Sequence, residues 1–279
     1  MIDIKGALSQ ATTQLEAESD SPRLDGEILL AHVLMKTRTY LYTHMDKTLT
    51  KAQWQTFQQL VDKRAHGMPI PYLTGTREFW SLPLKVCEDT LIPRPETELL
   101  VELTLKLLAD KPHAQILDLG TGSGAIALAC AHERPDWQII ACDCSLSALQ
   151  IAEENAARLR VTNICFYHSD WFEKISLTQK FDAIVTNPPY IAANDPHLIQ
   201  GDVRFEPTLA LVGGTDGLEA IRHIIQHSLA RLKPDGLLLI EHGFDQKSAV
   251  GSMLNDYGYR QVQCWQDLQG NDRVSGGKR

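Results

Sequence analysis

No apolar run in this chain approaches the roughly 20 residues needed to cross a bilayer, and there is no low-complexity tract or long block of like charge. A membrane-spanning helix and a disordered interaction tail are therefore not expected. Positive charge is in short supply, with 27 Lys and Arg against 35 Asp and Glu and a formal net charge of -8. A protein that grips a nucleic-acid backbone usually presents a basic face, so direct nucleic-acid binding is not expected. The opening stretch, MIDIKGALSQATTQLEAESD, carries early acids and lacks both the apolar core of a signal peptide and the Arg-rich face of a transit peptide. It points to a cytoplasmic protein. The six cysteines (Cys87, Cys130, Cys142, Cys144, Cys165, Cys264) have neither CxxC pairing nor the density of a disulfide scaffold. They read as reduced and mostly buried. Cys142 and Cys144 flank Asp143, but without a second cysteine pair or a nearby HxxxH no metal site is expected.

Helical periodicity dominates the first part of the chain. Ile4, Ala7, Leu8, Ala11 and Leu15 share one helix face. A second helix is announced by Ser21 as N-cap with Pro22 behind it, and a third runs from a Thr50 cap to a stop at Gly67. Residues 1–68 are thus a small helical bundle. Over residues 69–93 the helical period fades, and Phe79, Trp80, Leu82, Leu84 and Val86 suggest a hairpin linker with Pro83 near its turn. Residues 94–279 form the remaining domain, entered by a helix whose first turn Pro95 pre-sets.

From residue 115 apolar strands alternate with amphipathic helices, the pattern of a mostly parallel sheet covered on both faces. The strands are expected at residues 115–119, 138–142, 163–167, 181–186, 237–241, 259–265 and 272–276, with helices most clearly at 145–159 and 216–232. Seven strands ending in a hairpin is one more than a dinucleotide-binding Rossmann sheet usually has. The expected fold is α/β, the Rossmann-like class I methyltransferase variant, joined to the small N-terminal helical bundle.

Two loops carry the chemistry. The first strand runs into Gly120-Thr121-Gly122-Ser123-Gly124 and then a helix, a glycine turn that lets a ligand approach the backbone. Asp143 closes the second strand about twenty residues on, where an acid can accept both hydroxyls of an adenosyl ribose or cap the helix that follows. Trp171, at the end of the third strand, can flank an adenine ring or belong to the core. The fourth strand delivers Asn187-Pro188-Pro189-Tyr190 at its carboxyl end, where open α/β sheets bind ligands. The Asn187 side-chain oxygen and the Pro188 carbonyl can each accept one N–H of a planar NH₂ group, with rigid prolines and a stacking Tyr190 around it. This arrangement suits methylation of an amide or aromatic amine. It does not choose between a base amine in nucleic acid and a glutamine amide, nor does it exclude a non-catalytic adapter.

Seven stretches do choose: SPRLDGEILLAHVL from Ser21, PYLTGTREFWSLPL from Pro71, LIPRPETE from Leu91, LDLGTGSGAIAL from Leu117, SDWF from Ser169, NPPYI from Asn187 and DVRFEP from Asp202. Together they resemble the HemK (PrmC) family of protein-(glutamine-N5) methyltransferases over nearly the full length. The resemblance implies S-adenosyl-L-methionine as methyl donor and the Gly-Gly-Gln glutamine of peptide chain release factors as acceptor. It also implies a helical domain that docks the release factor. The enzyme is expected to act as a monomer. By the same match, residues 120–124, Asp143, Trp171 and Asn187 line the cofactor site, and Asn187, Pro188, Pro189 and Tyr190 grip the amide. Arg94, Glu98, Arg204 and Glu206 fall in the matching motifs without an individual role.

Overall fold

The computed structural model describes residues 2–279 and divides into two compact units, Met1–Thr76 with Ile199–Phe205, and Arg77–Leu198 with Glu206–Arg279. The first unit holds α1 (Ile4–Leu15), α2 (Pro22–Leu34), α3 (Arg38–Thr43), α4 (Lys51–Ala65) and α5 (Ile70–Thr74). Asp3 caps α1 by accepting the Gly6 N–H at 2.7 Å, and Thr50 and Gln53 form a reciprocal capping box on α4. Ser21 stands at the N-cap of α2, but its hydroxyl donates to Asp25 instead of accepting from the backbone. The expected face of α1 is buried throughout, in one core with Leu29, Leu30, Phe57 and Val61. α3 and α5 were not expected; at six and five residues they are too short to show a period.

Two polar hubs complete this unit. Glu27, 1% exposed, accepts from Arg23 at 2.7 Å, Arg38 at 2.8 Å and the Tyr42 hydroxyl at 2.7 Å. Arg64 pairs with Asp25 at 2.7 Å and Asp202 at 3.1 Å, and Arg204 donates to the His66 carbonyl at 3.0 Å, which ties residues 199–205 to the helices.

The hairpin consists of β1 (Thr76–Phe79) and β2 (Leu82–Lys85). Its turn is Trp80-Ser81, both with positive φ (52° and 59°), the conformation a two-residue hairpin turn requires. Pro83 lies near this turn as expected, as the second residue of β2 and on its exposed face, while Leu82 and Leu84 are buried. Proline is tolerated there because the strand has no second neighbour.

The large unit continues with a 3-10 turn at Pro95–Thr97, α6 (Glu98–Leu107), β3 (Gln115–Leu119), α7 (Ala125–Glu133), β4 (Gln138–Asp143), α8 (Leu146–Leu159), β5 (Ile164–His168) and β6 (Phe181–Thr186). It ends with α9 (Thr208–Leu211), α10 (Glu219–Ser228), β7 (Leu232–Glu241), α11 (Lys247–Asp256), β8 (Arg260–Gln266) and β9 (Asp272–Lys278). All seven expected strands are present, in the order β5-β4-β3-β6-β7-β9-β8. The five from β5 to β7 are parallel, and β9 runs antiparallel between β7 and β8. β7 starts earlier than expected because Leu232 pairs with Phe181 ahead of a register shift. α10 starts later than expected because Asp216 lies before the helix and accepts the Leu218 N–H at 3.0 Å.

Separate apolar clusters lie on the two faces of the sheet. The cysteines depart from expectation: only Cys130 and Cys142 are buried, and Cys144 and Cys165 are exposed. Cys142 is a buried residue of β4, whereas Cys144 follows the strand's last residue, Asp143, and is exposed.

Candidate active site

Strand order reverses at β3, which lies between β4 and β6. Chain connections leave the sheet in opposite directions there, and the gap at the carboxyl ends becomes a crevice. A cleft of about 520 Å³ occupies it, lined among others by Gly120, Gly122, Asp143, Trp171, Asn187 and Pro189. This size suits a small-molecule site.

The glycine loop is anchored by the Gly120 and Thr121 N–H groups, both donating to the Cys142 carbonyl at 2.9 and 3.0 Å. Gly120, Gly122 and Gly124 have φ of 69°, 55° and 86°, a region costly for side-chain-bearing residues. A Cβ added at Gly122 would meet nothing within 4 Å, so the backbone there faces open space. Thr121 and Ser123 are buried instead of lining the cleft. The Thr121 hydroxyl donates to Asp118 at 2.6 Å, and the Ser123 carbonyl accepts from Asn155 at 2.9 Å. Asn155 also holds both the N–H and the carbonyl of Lys85, so one buried amide links the hairpin, α8 and the loop.

Asp143 ties the glycine loop to the start of α8 and also faces the cleft. Its Oδ2 accepts the Gly122 N–H at 2.8 Å and its Oδ1 accepts the Ser145 N–H at 2.9 Å. Each carboxylate oxygen retains a further lone pair, and the residue lines the cleft. Burial pushes its carboxyl above the ordinary value despite these bonds. Trp171 likewise serves twice: it lines the cleft and packs against the core. Its own φ is positive at 44°, and its ring lies 3.6 Å from a Cβ built at Gly120.

The second loop is held along its length. Ile191 N–H donates to Leu211 O, Gly213 N–H to Ile191 O, and Gln246 Nε2 to Tyr190 O, each at 2.9 Å. Gly213 approaches so closely that an added Cβ would lie 2.4 Å from the Pro189 carbonyl. Asn187 and Pro189 line the cleft; Pro188 and Tyr190 are not among its lining residues. The Asn187 amide nitrogen donates to the Thr97 hydroxyl at 3.2 Å, and the Tyr190 side chain packs against the core.

Sequence reasoning passed over three buried groups around these loops. Asp118, fully buried beneath the glycine loop, has one oxygen without a partner among the described residues, and burial pushes it up to about 7. Thr97 and Glu241, 4% and 1% exposed, lie behind Asn187. Their only signal was position, at a helix entry and at a strand's carboxyl end. The four unassigned motif residues resolve into ties. Glu206 accepts from Arg94 and, at 3.0 Å, from the Ile92 N–H. Glu98 accepts the Trp80 N–H at 2.8 Å, and Arg204 belongs to the helical unit.

This sheet, with its antiparallel strand inserted next to the edge and its cleft at the switch point, is that of a class I methyltransferase. A methyltransferase from Pyrococcus furiosus shares the fold, with a TM-score of 0.53 at 17% identity over 71% of this chain and 88% of that one. Residues 6–75 match the PrmC N-terminal domain and residues 96–201 the methyltransferase small domain. The release factor glutamine methyltransferase of Vibrio cholerae is 50% identical, covering 99% of this chain and 97% of its own. That of Escherichia coli is 49% identical over 97% of each. The chain belongs to the release factor glutamine methyltransferase family.

Proposed function

We propose that this enzyme transfers a methyl group to the side-chain amide nitrogen of the Gly-Gly-Gln glutamine in peptide chain release factors. The observation that carries the reading is the Asn187 amide at the cleft wall, its nitrogen already committed to Thr97. Bound S-adenosyl-L-methionine supplies an electrophilic methyl on a sulfonium. The open backbone at Gly122, the free lone pairs of Asp143 and the Trp171 ring suit its adenosyl part. The loop geometry set by Thr121, Ser123 and Gly124 keeps that wall in place.

Asn187 Oδ1 and the Pro188 carbonyl accept the two N–H bonds of the substrate amide and turn its nitrogen lone pair toward the methyl. As the nitrogen–carbon bond forms, the carbon–sulfur electron pair stays on sulfur and one N–H proton passes to water. The same two oxygens stabilise the positive charge that develops on nitrogen, more strongly in the transition state than before it. Pro189 stiffens the loop, and Tyr190 holds its far end against the core.

The helical unit is the docking element for the release factor, and a single chain acts in the cytoplasm. Everything the chemistry uses lies in one unit of one chain, and no helix among the described residues is long and apolar enough to cross a membrane. Incubation with labelled S-adenosyl-L-methionine and a purified release factor tests the assignment. Label should appear in the factor and vanish when the Gly-Gly-Gln glutamine is replaced. Label in nucleic acid from a cell extract, with none in the factor, would overturn it.

A further inference from the structure

We propose that Thr97 and Glu241 are positioning residues for methyl transfer: they fix which end of the Asn187 amide faces the cleft. The inference rests on the reading of Asn187 as the amide clamp. A carboxamide has a donor end and an acceptor end of nearly the same shape, so packing alone does not select between them. Selection needs a neighbour with fixed hydrogen-bond polarity.

The structure supplies one three groups deep. Glu241 ends β7 beside the carboxyl end of β6, where Ile240 pairs with Thr186, the residue before Asn187. The Thr97 and Tyr190 hydroxyls neighbour its carboxyl and draw it down by hydrogen bonding against the effect of burial. Thr97 closes the 3-10 turn at Pro95–Thr97, and its hydroxyl oxygen takes the Asn187 Nδ2 hydrogen at 3.2 Å. An ionised carboxylate only accepts, so the single Thr97 proton goes to Glu241. The Thr97 oxygen then has only lone pairs to offer Asn187, which must present nitrogen. Asn187 Oδ1 is thereby left for the substrate. The reversed amide would set an NH₂ against the substrate NH₂, two donors with no acceptor between them.

The polarity of this chain depends on the charge of Glu241. Burial pushes its carboxyl up to about 7, Arg273 on β9 draws it down, and Glu96 raises it further. Arg94, Arg273 and Glu96 also act on the neighbouring Tyr190, whose hydroxyl burial holds well above its ordinary value and therefore protonated. A protonated Glu241 could donate to Thr97 and reverse the chain. The correctly polarised fraction should grow as pH rises through about 7.

The test is single-turnover methylation of a purified release factor, with cofactor affinity measured by calorimetry. Thr97→Val keeps the side-chain shape and removes the hydroxyl, and should slow the chemical step about 100-fold. Cofactor affinity and KM should stay within about twofold. Thr97→Ser, which restores the hydroxyl, should recover most of the rate. Wild type should gain rate as pH rises through about 7, and Glu241→Gln should flatten that rise. A Thr97→Val rate equal to wild type, or a Thr97→Ser rate as low as Val, overturns the proposal. So does an unchanged pH profile in Glu241→Gln, the deciding measurement if Thr97→Val does not fold. Asn187→Ala separates the two ideas. If it is inactive while Thr97→Val is normal, the clamp stands and the relay fails; if it keeps the wild-type rate, the clamp itself fails.

Discussion

Glu27 in the helical unit and Glu241 in the sheet unit are equally hidden, at 1% exposure each, yet their carboxyls shift in opposite directions. Burial raises both. At Glu27 the hydrogen bonds from Tyr42, Arg38 and Arg23 outweigh burial and leave the carboxyl below its ordinary value. At Glu241 two hydroxyls and a more distant Arg273 do not, one oxygen has no partner among the described residues, and the carboxyl rises to about 7. The difference lies in donor count and charge, and in depth: both side chains are covered, but Glu27 lies close to the surface and Glu241 deep in the sheet unit. Glu27 is a saturated hub whose work is cohesion; Glu241 is left underserved beside the reacting loop, where a group near neutrality can influence chemistry.

The widest separation between the two regions should come from Asn187→Ala. Loss of one preorganised acceptor commonly costs about 100- to 1000-fold in kcat, and single-turnover rates should show this with the unfolding midpoint almost unmoved. Asp143→Ala should come next. It removes a charged acceptor from the proposed cofactor site, worth about 1.5 to 3 kcal/mol, so calorimetry should show affinity lowered by about 10- to 150-fold. Because Asp143 also holds the Gly122 and Ser145 N–H groups, some stability should go with it. Asn187→Ala should lack that second effect.

Glu27→Ala should do the reverse of Asn187→Ala. Its partners Arg23 and Arg38 are half-exposed and can turn to water, so a stability loss of about 1 to 3 kcal/mol is expected, short of the cost of stranding a fully buried charge. Urea unfolding followed at Trp54 should register it, while methylation of a short Gly-Gly-Gln peptide proceeds at the wild-type rate. The smallest effect is in pH. The Glu27 contribution is fully present above its unfolded value of 4.5 and is lost as pH falls through its lower folded value. Glu241 and Asp118, raised to about 7 from 4.5 and 3.8, oppose folding increasingly as pH rises from their unfolded values toward 7. Moving from pH 7.5 to 5 should therefore stabilise the sheet unit. Further acidification below 4.5 should weaken the helical one, with protease sensitivity mapped to each unit as the readout.

The same contrast marks what the sequence made legible. β3, β4, β5, β6 and β7 announce themselves by apolar runs, β8 and β9 (RQVQCWQ and DRVSGGK) only as a terminal strand pair, and the glycine loop, Asp143 and Asn187 stand at strand ends where ligands gather. α3 and α5 escaped because five or six residues do not complete two turns. Pro83 marked the hairpin correctly, because a two-stranded hairpin accepts a proline that a central strand would refuse. Thr97 and Glu241 escaped for another reason: Thr97 meets Asn187 across 90 positions of chain, and nothing local distinguishes this threonine or glutamate from any other at an element end. Partners joined only by the fold leave no spacing to read.

β9 also bears on how the chain is made. It lies inside the sheet, between β7 and β8, yet it is the last strand to be synthesised. The helical core, in contrast, draws only on residues from Ile4 to Leu73 and can condense as soon as they emerge. At about 5 to 20 residues per second, roughly 10 to 40 s separate that moment from the arrival of β9. Once β7 has emerged, one side of it stays open until β9 arrives, and until then the nascent chain carries a helical core next to an unfinished sheet. The helices are assembled first and the sheet last, so a chain still on the ribosome carries a folded helical core before it carries a complete cleft.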